Sequence, residues 1–431
     1  MRRRTFRLWR NACAQKSPLF LYCAEGDMPS LLLLPMRSGG MEIVMSYTWN
    51  VPTKVLFGAG KLSELHSEAM PGKKALIVIS NGKSTITNGS LEKTENELKK
   101  AGVSYAVFNK IRPNPYESDI MEGVAALKEN KCDFVIGLGG GSVLDSATVI
   151  SAMAANEGTV WDYMQGGTGK GKTFENEPLP YIEITTSAGT GSEVDCWGVV
   201  TNPDTKEKMG FRGGYPYIAV VDPELMLTVP ADYTAYQGFD ALFHSVEGYV
   251  SKFSNEMSDM VELAAIKNIA QYLPIAVKDG KNLEARTKVA FANTMSGYSM
   301  EVGSCVSEHS LEHALSAYHQ ELPHGAGLIM ISVAYFSTLI EKHVCDSRFV
   351  DMAKALGRED ADKPEDFIDA LKSLQKACGV DELKMSDYGI CKSEFEELAK
   401  NAKSTMAGLF LCDRAELTDE DCVRIYEKSY K

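Results

Sequence analysis

Short apolar runs alternate with amphipathic stretches over residues 47–222. The apolar runs predict buried strands at 75–79, 105–108, 133–138 and 181–184. Helical spacing of apolar positions between them predicts helices at 90–100, 118–130 and from 142 onward. The first of these helices is expected to start at a serine cap, Ser90. Strands that alternate with helices of this length indicate a parallel sheet covered on both faces.

Beyond Pro223 the alternation disappears and only helical periods remain. They predict helices at 260–272, 285–298, 308–318, 367–378 and 393–403. The last of these opens with the capping-box spacing of Ser393 and Glu396. The fold class predicted from this order is an α/β N-terminal domain with a Rossmann-like parallel sheet at 45–228, followed by an all-α C-terminal domain at 229–431.

Residues 1–44 differ from the rest of the chain. They are rich in arginine and poor in acidic residues, as transit peptides are, but they are poor in serine and lack a continuous amphipathic pattern. Their apolar runs are shorter than the roughly 18 residues that a membrane span needs. Three interpretations stay open: a non-structural extension or misassigned start before Met41, a targeting segment, or an ordered arm.

Composition narrows the choice of partners and compartment. A net charge of −13 over 431 residues argues against nucleic acid or an anionic membrane, since both select basic surfaces. The ten cysteines are scattered and no C-x-x-C motif occurs. A chain of this length does not need disulfides, so free thiols in a reducing, cytoplasmic compartment are expected.

Histidine is scarce and clustered in this sequence. Five of the seven histidines fall within 244–324. Asp240 and His244 are four residues apart, as are His309 and His313, and on a helix that spacing places both members of a pair on one face. His324 follows in P-H-G, where the glycine is expected to end a helix or to admit a ligand.

Each of these residues also has an ordinary structural interpretation. A single histidine on an apolar face is usually a core residue, and an Asp-x-x-x-His pair is often a surface ion pair. Their clustering favours a shared metal instead. Asp240, His244, His309 and His324 would form a mixed carboxylate and imidazole site suited to Fe²⁺ or Zn²⁺. Such a metal polarises a carbonyl or lowers the pKa of an alcohol.

Two small-residue segments follow predicted strands. Gly139-Gly140-Gly141-Ser142 stands between a strand and a helix, where free backbone N–H groups attract phosphate. The second segment, T-T-S-A-G-T-G-S-E, occupies 185–193 after the strand at 181–184. A glycine turn after one strand is often only structural, but two such loops at the strand ends of one open sheet favour a nucleotide crevice.

The order of the motifs resembles the iron-containing (group III) alcohol dehydrogenases over nearly all of 45–431. The matching segments are F-G-A-G-K-L at 57–62, P-N-P at 113–115, G-G-G-S-V-L-D at 139–145, A-G-T-G-S-E at 188–193, D-P-E-L at 222–225, D-A-L-F-H-S-V-E at 240–247, H-S-L-E-H-A-L at 309–315, and P-H-G at 323–325. Each motif alone is weak, but their order and spacing together are specific to that family.

The resemblance implies hydride transfer between a primary alcohol or aldehyde and NAD(P), in a cleft between the two domains, by a homodimer. By position, the metal ligands are Asp240, His244, His309 and His324, and His313 helps to relay a proton. The residues expected at the cofactor are Ser80, Asn114, Gly140, Gly141, Ser142, Asp145, Thr186, Ser187 and Lys208.

Ser80 bears on the choice of nucleotide. Relatives that use NAD often carry an aspartate at this position, which binds the ribose 2′-hydroxyl and repels a 2′-phosphate. Here the segment reads Ser80-Asn-Gly-Lys83, without a carboxylate. Lys83 is able to attract a phosphate, although it is equally well explained as a solvated loop residue. The sequence therefore favours NADP over NAD by a small margin.

Two other functions remain to be weighed. A lyase of the dehydroquinate synthase type shares this architecture, but it needs several basic residues around an anionic substrate, and none stands beside a predicted ligand here. A nucleotide-binding scaffold with a purely structural metal is the non-catalytic alternative. The substrate is not readable: Trp197, Phe243 and Tyr298 form either an apolar substrate pocket or part of the core. Neither Cys196 nor Cys305 is assigned a covalent role.

Overall fold

The computed structural model describes residues 47–431, and the interpretations of 1–44 lie outside that range. Eight strands are present in it: β1 Lys54–Phe57, β2 Lys74–Ser80, β3 Ser104–Ile111, β4 Phe134–Gly139, β5 Tyr181–Thr185, β6 Trp197–Asn202, β7 Glu207–Arg212 and β8 Ile218–Val221. Six form a parallel sheet in the order β1-β8-β5-β4-β2-β3, and β6 and β7 form a separate antiparallel hairpin.

Successive residues of the sheet strands enter two different cores. In β2, Leu76 and Val78 face one core, whereas Ala75, Ile77 and Ile79 face the other. This is the two-residue period of a strand that is buried on both faces. The sheet is therefore doubly wound, and the predicted α/β class is confirmed.

Short and long helices connect these strands. They are α1 Ser84–Thr87, α2 Ser90–Lys100, α3 Glu117–Glu129, α4 Gly141–Ala155 and α5 Val160–Tyr163, with 3₁₀ turns at Lys61–Ser67, Ser192–Val194 and Pro223–Met226. Helices α3 and α4 cover one face of the sheet, and α2 with the first 3₁₀ turn covers the other.

The remainder of the chain is helical, as predicted. The helices are α6 Ala231–Val250, α7 Glu256–Lys278, α8 Leu283–Val302, α9 Ser307–Tyr318, α10 His324–Glu341, α11 Asp346–Ala355, α12 Glu365–Ala377, α13 Phe395–Thr405, α14 Ala407–Cys412 and α15 Asp419–Ser429, with 3₁₀ turns at Met385–Tyr388 and Lys392–Glu394. Among the described helices, α10 alone is long and apolar enough to span a membrane, but 78% of it is buried in the protein, as in a core helix.

Several local predictions were wrong. Helix α2 is capped by Gly89 instead of Ser90, and the box near 393 runs from the Cys391 backbone to Glu394. Gly325 begins a helix and does not end one. A Cβ there would lie 2.1 Å from the carbonyl oxygen of Tyr236, so the glycine lets α10 start against α6. The edge strand β1, the β6–β7 hairpin and β8 were not predicted.

Candidate active site

Three helices bring the predicted metal ligands together. Helix α6 carries Asp240 and His244, α9 carries His309, and α10 begins at His324. Asp240 Oδ1 lies 3.6 Å from His309 Nε2 and 3.5 Å from His324 Nε2. One ligand atom from each of these three residues lies within 4.8 Å of the others.

His244 adjoins this group. Its ring stacks on that of His309 with centroids 4.5 Å apart, and its Nδ1 lies 3.7 Å from Asp240 Oδ1. The same Nδ1 is 3.2 Å from the carbonyl oxygen of Gly189, to which it can donate, leaving Nε2 for another partner. His244 also falls within 4.8 Å of a different set of ligand atoms, those of Cys305 and His309.

Two buried carboxylates that the sequence analysis missed orient the histidines. Glu247 of α6 is hydrogen-bonded to His309 Nδ1, and Glu312 of α9 to His324 Nδ1. Both glutamates are fully buried. A carboxylate on the far nitrogen of an imidazole is the usual outer layer of a metal site, because it fixes the tautomer and raises the basicity of the ligand.

The donor atoms fit a divalent cation. Asp240 and His309 are each only 4% exposed, and their atoms Oδ1 and Nε2 have no hydrogen-bond partner. Buried polar atoms normally have partners, because an unpaired one loses its hydration without compensation. An ion bound between them would satisfy both atoms, and the oxygen and nitrogen donors suit Fe²⁺ or Zn²⁺.

The surroundings of the cluster shift the pKa values of its histidines in opposite directions. Burial lowers the pKa of His244 to about 3, which keeps the ring neutral. Burial also acts against the charged form of His309, but the carboxylates of Glu247 and Asp240 outweigh it and raise the pKa to about 10. For Asp240 the nearby histidines outweigh burial and hold the pKa well below its ordinary value.

The loop at 185–193 joins the metal cluster to the sheet. Its Gly189 carbonyl faces His244, and its Gly191 N–H donates to the side chain of Asn293 on α8 at 3.0 Å. Gly191 has a φ of +67°, and a Cβ on it would lie 2.6 Å from the Cα of Gly297. This close approach requires glycine, so the loop is fixed against the helical domain.

The crevice expected to bind the nucleotide lies where the sheet changes direction. Strands β2 and β4 are neighbours, so Ser80 and Gly139 end two adjacent parallel strands. The chain leaves β2 toward β3 and leaves β4 toward β5 on the opposite side, which makes this the topological switch point. Ligands of open α/β sheets bind at that position, outside the carboxyl ends of the strands.

Small residues let the two loops at the crevice approach each other closely. A Cβ on Gly141 would lie 2.3 Å from the Thr190 side chain, and one on Gly140 would lie 3.2 Å from the Ser187 hydroxyl. The Thr186 N–H donates to the Gly139 carbonyl at 2.9 Å, so the two loops pack together. The predicted residues Gly140, Gly141, Ser142, Thr186 and Ser187 therefore share one surface at the start of α4.

Three other predicted cofactor residues have protein partners. Asp145 accepts a hydrogen bond from Ser192 at 2.9 Å and lies behind the second loop. Asn114 donates to the Gln320 carbonyl at 3.0 Å and links the two domains. Lys208 is buried, with its ammonium 2.8 Å from the Ser316 hydroxyl and 3.6 Å from Glu312. Their contacts with a nucleotide stay a prediction.

Two further histidines, His313 and His319, follow His309 in the chain. The ring of His313 is centred 5.3 Å from that of His324, and one of its nitrogens shares a 4.8 Å group with Glu312 and His324. Burial and the charge of Lys208 lower the pKa of His313 well below its ordinary value. His319 instead faces Glu394 at 3.3 Å, away from the ligands.

Phe243 is one of three aromatic residues for which a substrate pocket and the core were both left open. Phe243 is fully buried and packs between Phe239 and Phe336, with ring centroids 5.9 and 6.1 Å away. It therefore belongs to the helical core. Tyr298 packs edge-on against Trp49, and Trp197 is partly exposed at the start of β6.

Comparison with known families gives the class of protein. A model described as "Iron-containing alcohol dehydrogenase" matches residues 52–223, and one described as "Fe-containing alcohol dehydrogenase family, C-terminal" matches 234–430. The matches cover both the nucleotide crevice and the helices that carry the ligands. Fold and site thus define a nicotinamide-dependent oxidoreductase that acts on alcohols or aldehydes with the aid of a metal.

Individual relatives agree. The chain is 31% identical to 1,3-propanediol dehydrogenase of Klebsiella pneumoniae over 83% of its length and 92% of that protein, and 34% identical to NAD-dependent methanol dehydrogenase of Bacillus methanolicus over 82% and 92%. A solved archaeal halo-thermophilic alcohol dehydrogenase from a Red Sea brine pool superposes with a TM-score of 0.84 at 30% identity, covering 90% of this chain and all of that one. The chain belongs to the iron-containing alcohol dehydrogenase family, which confirms the resemblance seen in its motifs.

Proposed function

We propose that this dehydrogenase interconverts small primary alcohols and their aldehydes. The observation that carries the proposal is the convergence of Asp240, His309 and His324 beside a nucleotide crevice. The cluster and the crevice are linked through the Gly189 carbonyl, which faces His244. The relatives named for propanediol, methanol and butanol support a small substrate with a terminal hydroxyl.

The roles of the ligands follow from their surroundings. Asp240, His244, His309 and His324 hold the divalent cation, and Glu247 and Glu312 orient two of the imidazoles. The bound cation supplies Lewis-acid stabilisation of negative charge on the substrate oxygen. Asp240, His244 and His309 are buried, which limits access of water, and a nucleotide in the adjoining crevice would be positioned for hydride transfer.

We propose that His313 relays the proton that the substrate exchanges during the reaction. A neutral imidazole has one nitrogen free to accept a proton, and His313 is held neutral beside the ligand His324. Replacing it with glutamine, His313→Gln, is expected to lower kcat while the metal content and the KM for nucleotide stay unchanged. A variant with wild-type kcat would remove His313 from the reaction.

We further propose that the nucleotide is NADP in preference to NAD. Ser80 ends β2 at the switch point, and Lys83 is exposed in the following turn, without an ion pair to any residue from 47 onward. A lysine at this position offers a charge-assisted hydrogen bond to a 2′-phosphate and no benefit to a 2′-hydroxyl. A preference for NADP would distinguish the chain from the NAD-dependent methanol dehydrogenase named above.

Steady-state kinetics test the nucleotide assignment. The ratio of kcat/KM for NADPH over that for NADH, measured with butanal, is expected to exceed one. Lys83→Ala should reduce that ratio about tenfold, the value of one charge-assisted hydrogen bond. Lys73→Ala provides a control at another exposed lysine of the same domain. A preference for NADH in the unaltered protein would refute the assignment.

We also propose a homodimer in the cytoplasm. The dimer is supported by the family resemblance and the compartment by the eight described cysteines, all of which are free thiols. Sedimentation equilibrium of the full chain measures the first, with twice the 47.2 kDa chain mass expected. Imaging of a C-terminally tagged chain tests the second, since accumulation in an organelle would instead identify residues 1–44 as a targeting segment.

A further inference from the structure

A thiol stands beside the metal ligands. Cys305 lies in the short connection between α8 and α9, which Ser304 turns with a φ of +69°. The Ser304 hydroxyl donates to the Cys305 carbonyl at 3.1 Å, and the next amide, that of Val306, donates to Glu247 at 2.7 Å. A non-glycine residue rarely adopts this conformation, so the connection is held in one position by its surroundings.

The sulfur of Cys305 forms a ligand group with two histidines. Its Sγ and one ring nitrogen each of His244 and His309 lie within 4.8 Å of one another. Glu247 occupies Nδ1 of His309, which leaves Nε2 as the free nitrogen. That nitrogen is buried and has no hydrogen-bond partner, so His309 keeps one ring nitrogen free to bind a metal.

We propose that Cys305 is an additional ligand of the metal centre, binding soft divalent cations such as Zn²⁺ together with His244 and His309. Thiolate and imidazole ligands favour Zn²⁺, whereas a carboxylate with imidazoles also suits Fe²⁺. The chain thus holds two overlapping ligand sets that share His309. The thiol gives up its proton when the metal binds.

The inference rests on the proposed metal centre, and the spectrum of bound Co²⁺ tests the metal centre and the role of Cys305 separately. Co²⁺ added to metal-free full-length protein gives visible ligand-field bands from any coordination and a near-ultraviolet charge-transfer band only from a thiolate ligand. The unaltered protein is expected to show both. Cys305→Ser should lose the charge-transfer band and keep the visible bands. Cys412→Ser, a buried thiol 3.5 Å from the Ser304 hydroxyl, should keep both.

The outcomes are distinct. Visible bands without a charge-transfer band in the unaltered protein would overturn the role of Cys305 and leave the metal centre intact. A charge-transfer band that persists in Cys305→Ser would also overturn it. The absence of all bands would refute the metal centre itself.

A competition titration gives a second measure. Cys305→Ser is expected to weaken the binding of Zn²⁺ about tenfold or more. Loss of an outer-layer partner of a metal ligand already has an effect of that size. Its affinity for Mn²⁺, which prefers oxygen donors, should change less. Equal losses for the two ions would contradict the proposal. Metal protection of Cys305 from alkylation in the unaltered protein, read by mass spectrometry, provides a readout without any substitution; equal alkylation with and without Zn²⁺ would also contradict it.

Discussion

The metal cluster and the nucleotide crevice are built in opposite ways. In the cluster, long helices direct buried charged side chains at one point, and Asp240 Oδ1 and His309 Nε2 are left without hydrogen-bond partners. In the crevice, the essential feature is missing side-chain volume, since a Cβ on Gly141 would lie 2.3 Å from Thr190. The first region therefore fails when an atom is removed, and the second fails when an atom is added.

The largest effect is expected from Asp240→Asn, which removes the only carboxylate among the four proposed ligands. The amide keeps the shape of the side chain but loses its negative charge, so a cation would be held by neutral ligands alone. Aldehyde reduction should fall to background, and elemental analysis should find little bound metal. Asp232→Asn, an exposed position on the same helix, is the control. A variant that retains both metal and activity would disprove the ligand assignment.

A smaller loss is expected when the outer layer is altered. Glu312→Gln still accepts a hydrogen bond from His324 but makes that ligand less basic. Metal affinity should drop by about 10- to 100-fold, as for other outer-layer partners. Isothermal titration with Zn²⁺ measures it, and Glu262→Gln, a buried glutamate without a histidine partner, is the matched control. Identical affinities for the two variants would show that Glu312 only fills space.

The crevice should respond to one added methyl group. Gly141→Ala places a carbon against Thr190, so the loops must separate at the proposed diphosphate site. The KM for nucleotide is expected to rise about tenfold, equivalent to roughly 1.4 kcal/mol of binding, with metal content unchanged. In Gly214→Ala the nearest atom, on Pro178, is an ordinary 3.4 Å away, and no change is expected. A normal KM in Gly141→Ala would place the nucleotide elsewhere.

Glu262 shows what burial does to a carboxylate that has no histidine beside it. Burial raises its pKa to about 8 from an ordinary value of 4.5, although Ser299 donates to it at 2.8 Å. The folded state therefore favours the protonated acid. The protonated Glu262 contributes its full stability to the folded state below pH 4.5. This contribution falls by about 1.4 kcal/mol per pH unit as the pH rises and is gone above about 8.

Denaturant unfolding at several pH values tests this behaviour. The free energy of unfolding of Glu262→Gln, relative to that of the unaltered protein, should increase from pH 5 to 8 and then level off. A difference that stays constant over this range would mean that the buried glutamate is ionised in the folded state.

The two regions also differ in how much of them could be predicted from sequence. His309 and His324 were identifiable because histidine is rare here, and the glycine turn because it follows an apolar strand. Glu247 and Glu312 were missed because glutamate is common. The available signal was spacing: each stands three residues after a histidine, His244 or His309.

Other features depend on packing between distant parts of the chain. The sequence left Phe243 open between a substrate pocket and the core; consecutive helix positions point about 100° apart, so Phe243 enters the core although it adjoins His244 in sequence. The β6–β7 hairpin includes polar and charged positions and a glycine in each strand, so its strand pattern is weak, yet it places Lys208 beside the cluster. Tertiary contacts of this kind are not encoded in any local period.

The most direct test of the account is a metal titration of the full chain. Metal-free protein, prepared anaerobically, is titrated separately with Fe²⁺ and Zn²⁺ while the oxidation of NADPH by butanal is followed. No reaction is expected without metal, and the rate should rise with added ion until one equivalent per chain is bound. A metal-free protein that reduces butanal at the full rate, or metal binding that never restores the reaction, would contradict this expectation.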